Sequence, residues 1–396
     1  MFSLSSFISL VVVAAPALAV PTVDLLIDHG YATGGDIDLR TVLAAVSTRK
    51  GQTFRFGSTY NTNNADPSFT SDVFDVFYNH AVAENECKWS ATEPAPGTSS
   101  LTACQAVQSL AAASNASFRG HNTFWHSQLP SWLPGTFSAS DVVNTIIPTH
   151  VQQEVQGMGS SVTSWDVVNE IVGDSTTSGM SALQCVQNKN AWPTVTSDGS
   201  GTALVTDLSF VYAAFKTAAA ANANARLAIN DYGTGGDDAK TACNIAVLKD
   251  VQANTGISSE RLAIGFQSHV SDTGFTSKDA LTQTFSTLAD LGAEALITEL
   301  DVSLSGTAEE NLRFQAAIWG DYLDACLYAS NCNEFINWDT RDDVSWLGAD
   351  KVATLFDSNG SPKPAAYEVA ARLMHFSYGL DELCATALGT GSCTIA

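Results

Sequence analysis

Eight short apolar segments recur along this chain, each followed by a longer stretch with helix-like spacing. That alternation restricts the fold more than any other feature. The segments lie near residues 54–58 (FRFGS), 80–84 (HAVAE), 117–122 (SFRGHN), 162–167 (VTSWDV), 226–230 (RLAIN), 262–267 (LAIGFQ), 294–299 (EALITE) and 334–338 (EFINW). Short apolar runs bounded by polar residues read as buried strands, and strands alternating with helical patterns read as βα units. Eight units is the number that closes a parallel barrel, and the 396 residues suffice for the ~250 or more that such a barrel needs. The predicted class is therefore α/β, a (β/α)8 TIM barrel, with residues 20–396 forming a single domain. Between strands four and five lies a segment rich in Gly, Ser and Thr that contains Cys185. It reads as a surface excursion. Residues 21–50 carry loose helical spacing, interrupted by Gly34 and Gly35, and are expected to cap the barrel bottom.

Charge narrows the partners. Lys and Arg number 18 against 41 Asp and Glu, giving a net charge of -23 and a pI near 4.4. Nucleic acid and anionic membrane surfaces repel such a chain. Charged residues are only 15%, so uncharged polar groups carry much of the solubility, which is compatible with a neutral polysaccharide partner. Residues 1–19 resemble a signal peptide: Phe7 to Val20 is apolar apart from Ser9, and Ala17-Leu18-Ala19 offers a small-x-small cleavage pattern, although no Lys or Arg precedes the run. Eight cysteines behind such a segment suggest disulfides in a secreted, extracellular protein rather than a metal site. Asn115 and Asn359 head Asn-x-Ser sequons and are glycosylation acceptors in a eukaryotic host.

Two of the eight segments carry chemistry. SWDVVNE (164–170) delivers Glu170 and ITELDVS (297–303) delivers Glu299. A strand that ends in an acid places it at a sheet edge, where a ligand can reach it, and barrel sites lie at the C-terminal strand ends. Two such acids suit cleavage of a glycosidic bond: one protonates the leaving oxygen, the other attacks the anomeric carbon. The two motifs closely resemble the acid/base and nucleophile motifs of glycoside hydrolase family 10, the endo-β-1,4-xylanases. The resemblance covers roughly residues 50–375 and implies Glu170 as acid/base and Glu299 as nucleophile. It also implies retention of configuration, with carboxyl groups about 5–5.5 Å apart, and no cofactor or metal.

Further motifs follow in the family's order. AENECKWSATEP (83–94) implies Glu84, Asn85 and Lys88 as ligands of sugar hydroxyls. Cys87 stands where the family usually has Met. RGHNTFWHSQLPSW (119–132) implies that His121, Trp125 and Gln128 line the glycone side, while His126 reads as an ordinary core histidine. Asn169 is implied to bond the sugar 2-hydroxyl, a contact that can strengthen in the transition state. INDYGTGGDDAKT (229–241) places Tyr232 near the acid/base. Its glycines lack the strand–GxGxxG–helix context of a dinucleotide site. GFQSHV (265–270) puts Gln267 and His269 beside the nucleophile. Asp301 is then implied to hold His269, and His269 to hold Glu299, keeping it ionised. Glu170 is expected in a less polar place that raises its pKa. In INWDTRDDVSWLG (336–348), Trp338, Asp342, Ser345 and Trp346 keep the family's spacing, with both tryptophans packing over the sugar. The chain departs at Asp339, where the family commonly has Gly, and adds Arg341 and Asp343. These extra charges are expected to bear on pH dependence or tolerance of substrate branches. The family's fungal-type members also imply a Cys326–Cys332 bridge. Cys87–Cys104, Cys185–Cys243 and Cys384–Cys393 then pair by order alone.

The expected activity is thus endo-hydrolysis of xylan or xylo-oligosaccharides by a secreted monomer. Two other readings compete. The same machinery can favour a glucan or a glycosylated small molecule, because a hydroxymethyl group differs from hydrogen only by how crowded the pocket is. An inactive barrel that binds glycans or other proteins would require loss of an acid, and both Glu170 and Glu299 are present.

Overall fold

Nearly every strand residue is buried, as parallel strands covered on both faces must be. The computed structural model describes residues 39–61, 73–133, 137–189 and 206–378. The strands are β1 (Arg55–Tyr60), β2 (His80–Ala83), β3 (Ser117–Gly120), β4 (Val162–Asn169), β5 (Arg226–Asp231), β6 (Leu262–Phe266), β7 (Glu294–Ser303) and β8 (Cys332–Asn337). Each pairs in parallel with its sequence neighbour, β8 pairs with β1, and β6 pairs with β7, so the sheet closes on itself. This is the expected (β/α)8 barrel. The eight predicted segments all become strands, with ends that differ by a few residues.

The largest difference at an end is functional. Ser268 has a positive φ of 64°, which breaks the sixth strand after Phe266. The chain resumes as a three-residue strand, His269–Ser271, paired with Asp301–Ser303 at the far end of β7. β7 therefore runs four residues past Glu299, which sits within the strand rather than closing it.

The main helices follow the strands: α1 (Leu39–Lys50) before the barrel, then α2 (Thr102–Ala113), α3 (Ile147–Met158), α4 (Ser209–Ala221), α5 (Ala239–Thr255), α6 (Lys278–Asp290), α7 (Glu309–Tyr328) and α8 (Pro364–Tyr378). Local sequence sets their ends. The Asp238 side chain accepts from Thr241 N and opens α5, and left-handed Gly256 (φ 73°) ends it by donating to Gln252 O. Lys50, in the last turn of α1, donates to the carbonyls of Cys326, Leu327 and Ala329 at the end of α7. A cation there offsets the unpaired carbonyls of a helix C-terminus. Among the described residues, no helix is long and apolar enough to cross a membrane.

Disulfides join Cys326–Cys332, as the family resemblance implied, and Cys87–Cys104 and Cys185–Cys243, as the order of the remaining cysteines suggested. The first ties the end of α7 to the start of β8. Cys384 and Cys393 lie outside the described residues, as do the residues of the expected signal peptide. Asn115 and Asn359 are both exposed.

A charged cluster lies in the barrel interior. Arg119 on β3 pairs with Asp166 on β4 and, at 2.5 Å, with Glu334 on β8, and also donates to Ser164 Oγ at 3.1 Å. All are buried. Burial alone would raise the Glu334 carboxyl, but the Arg119 and His80 charges hold it well below the usual range. Arg119→Met should strand two carboxylates in the core. The expected loss of stability is about 3–5 kcal/mol, read from urea unfolding; a loss under about 1 kcal/mol would show that the cluster is dispensable.

Candidate active site

Six non-glycine residues have positive φ among the described ones, and five of them (Gln128, Glu170, Ser268, Asp339 and Val352) lie in the segments that follow strands at the same barrel end. Strained backbone of this kind persists where the surroundings over-determine it, and it concentrates at functional sites. At Glu170, φ is 54°. The residue immediately follows β4, and its backbone N donates to Asn230 O at 2.7 Å, so the turn is pinned to β5.

Three amide side chains join the two acids. Gln267 Nε2 donates to Glu170 Oε1 at 3.2 Å and to Asn169 Oδ1 at 3.3 Å. Asn230 Nδ2 donates to Asn169 Oδ1 at 2.8 Å and to Glu299 Oε1 at 2.6 Å. Thr298 Oγ1 donates to Asn230 Oδ1 at 2.6 Å and fixes which end of that amide faces the acids. The carboxylates are thus held apart by a short hydrogen-bonded bridge. Gln267, expected beside Glu299, bonds to Glu170 instead, because the strand break at Ser268 separates it from His269. Asn230, the bridge's central member, was not singled out in the sequence. Its position in IND (229–231), at the end of the fifth predicted strand, was the available signal.

Glu299 is buried, and burial by itself would raise its carboxyl. The charge of His121, the hydrogen bond and charge of His269, and the Asn230 amide outweigh that and bring it down to about 2. His269 Nε2 lies 3.2 Å from Glu299 Oε2, and His269 Nδ1 lies 2.7 Å from Asp301 Oδ2. Burial would lower His269, yet the two carboxylates lift it to about 10. The expected Asp301–His269–Glu299 chain is present, and strand pairing explains it: His269 sits in register opposite Asp301.

His121 Nδ1 is 2.9 Å from Asp166 Oδ2 and 3.9 Å from Glu299 Oε1. His121, Asp166 and Glu299 cluster closely enough to suggest a cation site. However, Asp166 already pairs with Arg119, and both Glu299 oxygens accept from Asn230 and His269. The geometry therefore fits an ion-pair network better than a metal site.

Around this centre lie the other expected residues. Glu84 accepts from Asn61 Nδ2 at 2.6 Å and from Asn85 Nδ2 at 3.0 Å. Asn85 Oδ1 accepts from Lys88 Nζ at 3.0 Å and from Gln128 Nε2 at 3.2 Å. The Lys88 ammonium lies 5.1 Å from the Trp125 ring centre. These residues form one connected polar wall. Trp338 packs edge-on against His121, with ring centres 5.3 Å apart. Trp346 is 55% exposed and donates from Nε1 to Asp301 Oδ2 at 2.8 Å. On the other side, the Tyr232 hydroxyl donates to Asp174 Oδ2 at 2.8 Å and accepts from Lys189 Nζ at 3.1 Å.

Several readings change. His126 is not a plain core residue: its Nε2 stands 3.8 Å from Glu170 Oε2. Asp342 is structural, buried against Lys363 Nζ at 2.8 Å. Arg341 and Asp343 pair with each other at 3.0 Å. Asp339 turns inward and is buried.

Comparison with known proteins bears on the family and the fold. The model of "Glycosyl hydrolase family 10" matches residues 43–372. "Endo-1,4-beta-xylanase 5" of Pyricularia oryzae is 30% identical over 359 residues, covering 87% of this chain and 80% of that protein. Xylanase 10B from Thermotoga petrophila RKU-1, solved in complex with xylobiose, has a TM-score of 0.73 at 26% identity and covers 87% of this chain and 100% of its own. A variant of Xylanase10C from Cellvibrio japonicus, in complex with xylopentaose, has a TM-score of 0.68 at 26% identity, covering 81% of this chain and 67% of that one. With its barrel matched over most of its length, this chain belongs to glycosyl hydrolase family 10.

Proposed function

We propose that this protein is a secreted endo-1,4-β-xylanase acting with retention of configuration, with Glu299 as nucleophile and Glu170 as acid/base. The observation that carries the assignment is the asymmetry of the bridged pair. Glu299 is buried among His269, His121 and Asn230, and its carboxyl is held at about 2, so it is ionised and ready to attack the anomeric carbon. Glu170 is the more accessible of the two and faces His126 across the mouth, where a leaving oxygen can take its proton. In the first step, Glu299 Oε attacks, the glycosidic C–O bond breaks and the Glu170 proton goes to the departing hydroxyl. In the second, Glu170 takes a proton from water, and that water displaces Glu299.

Xylan as substrate is supported by the relatives named as xylanases and by the neighbours solved with xylobiose and xylopentaose. Glu84, Asn85, Lys88, Gln128 and Trp125 supply donors, acceptors and a ring face for one side of the cleft. Export is supported by three disulfides among the described residues, which persist in oxidising compartments, and by the exposed sequon residues Asn115 and Asn359. The deciding assay is reducing-end release from xylan and from soluble cellulose, side by side. Strong release from xylan with at least about 10-fold less from cellulose is expected, since one extra group in a fitted pocket is worth roughly 1–3 kcal/mol. Equal rates, or activity on neither, would overturn the xylan assignment.

A further inference from the structure

Asp339 stands at a left-handed position (φ 59°) just past β8 and is only 2% exposed. Its side chain spans two elements. Oδ1 accepts from Thr59 Oγ1 at 3.2 Å, on β1, and Oδ2 accepts from the backbone N of Trp346 at 2.8 Å. Its own backbone N donates to Thr59 Oγ1 at 3.1 Å, and its carbonyl accepts from Asn337 Nδ2 at 2.7 Å. Trp346 is otherwise the most open large aromatic of the site, and its indole donates to Asp301 Oδ2 at 2.8 Å. That same oxygen receives His269 Nδ1, while Asp301 Oδ1 has no partner. Asp301 is therefore oriented through one oxygen by two donors, and one of those donors sits on a segment that Asp339 secures.

We propose that Asp339 is a positioning residue for the nucleophile, holding the Trp346 segment so that the indole fixes Asp301 and, through His269, Glu299. The inference rests on the functional reading above for its kinetic readout. The charged groups that act on Asp339 are Glu84 after β2, Asp301 on β7 and Lys88 in the loop after β2. Burial and the two like charges push its carboxyl up to about 7. The neutral amide of Asn therefore preserves the contacts: Oδ1 can accept from Trp346 N, and Nδ2 can donate to Thr59 Oγ1. Glycine suits the same left-handed backbone but offers Trp346 no acceptor, so it removes the contact without adding strain.

The test is a double-mutant cycle on xylan hydrolysis with Asp339→Gly and Trp346→Phe, with Asp339→Asn as the conservative variant. Asp339→Gly should lower kcat about 10-fold, and Asp339→Asn should stay within about two-fold. Adding Asp339→Gly to Trp346→Phe should cost less than about two-fold more, because the link is already cut. Multiplicative losses, an Asp339→Asn variant as slow as Asp339→Gly, or a fully active Asp339→Gly would each overturn the proposal. Imidazole ¹⁵N titration gives a readout independent of turnover. His269, which titrates near 10, should fall by about one pH unit in Asp339→Gly, and an unmoved His269 would also overturn it. If the wild-type protein releases no sugar from xylan, the functional reading fails while this titration still decides the positioning role.

Discussion

Glu299→Gln should lower kcat on a xylo-oligosaccharide by about 10⁵-fold, the order of magnitude seen when an enzymatic nucleophile is removed. The substitution is nearly isosteric. The amide oxygen can still accept from Asn230, so the barrel should fold, and thermal melting should verify that it does. What disappears is the negative charge that attacks the anomeric carbon. A second consequence separates loss of charge from loss of fold. His269 is lifted to about 10 by Asp301 and Glu299 together, so its titration should move down in the variant. The wild-type protein should also lose stability in acid in a way that the variant does not. Glu299 has a depressed carboxyl, so its contribution is present above the ordinary carboxylate range and is lost as pH falls toward about 2. Residual activity within about 100-fold of wild type would remove Glu299 from the nucleophile's role.

Glu170→Gln should have an effect that depends on the leaving group. With a sugar hydroxyl leaving, the loss in kcat/KM should be about 10²–10⁴-fold, the usual worth of a positioned general acid. With an activated aryl xyloside, whose phenolate departs without a proton, the first step should be far less affected. The slow step then becomes release of the glycosyl-enzyme by unassisted water, visible as a burst of phenol followed by a low steady rate. Equal losses on both substrates would mean that Glu170 holds the substrate rather than moving a proton. His126, 3.8 Å from Glu170, is unaltered in the variant, which keeps the comparison clean.

The sequence made the barrel legible because its signal is local. Strands buried on both faces are largely apolar, so the middle of β5 (Leu227, Ala228 and Ile229) and the whole of β6 (Leu262–Phe266) stand out between amphipathic helices. The two acids were legible because each sits in a recognisable short motif. By themselves, the residues established a chain long enough for one closed barrel, with two carboxylates on strands four and seven and a charge unsuited to nucleic acid.

What the sequence did not contain is which side chains meet across the barrel. Asn230 lies 69 positions from Glu299 and 61 from Asn169, and nothing along the chain couples them. The closed sheet brings β4, β5 and β7 to one rim and makes an unremarked asparagine the bridge between the acids. The resemblance places Gln267 beside the nucleophile together with His269. The positive φ at Ser268 sends the two side chains to different acids. Asp339 looked like an added charge at the mouth, yet the turn after β8 carries it inward, to Thr59 and the Trp346 backbone. Hydrophobic periodicity is a property of neighbours in sequence and fixes the elements. The protonation and aim of a buried carboxylate depend on groups within a few ångströms in space, and only closure of the barrel decided which groups those are.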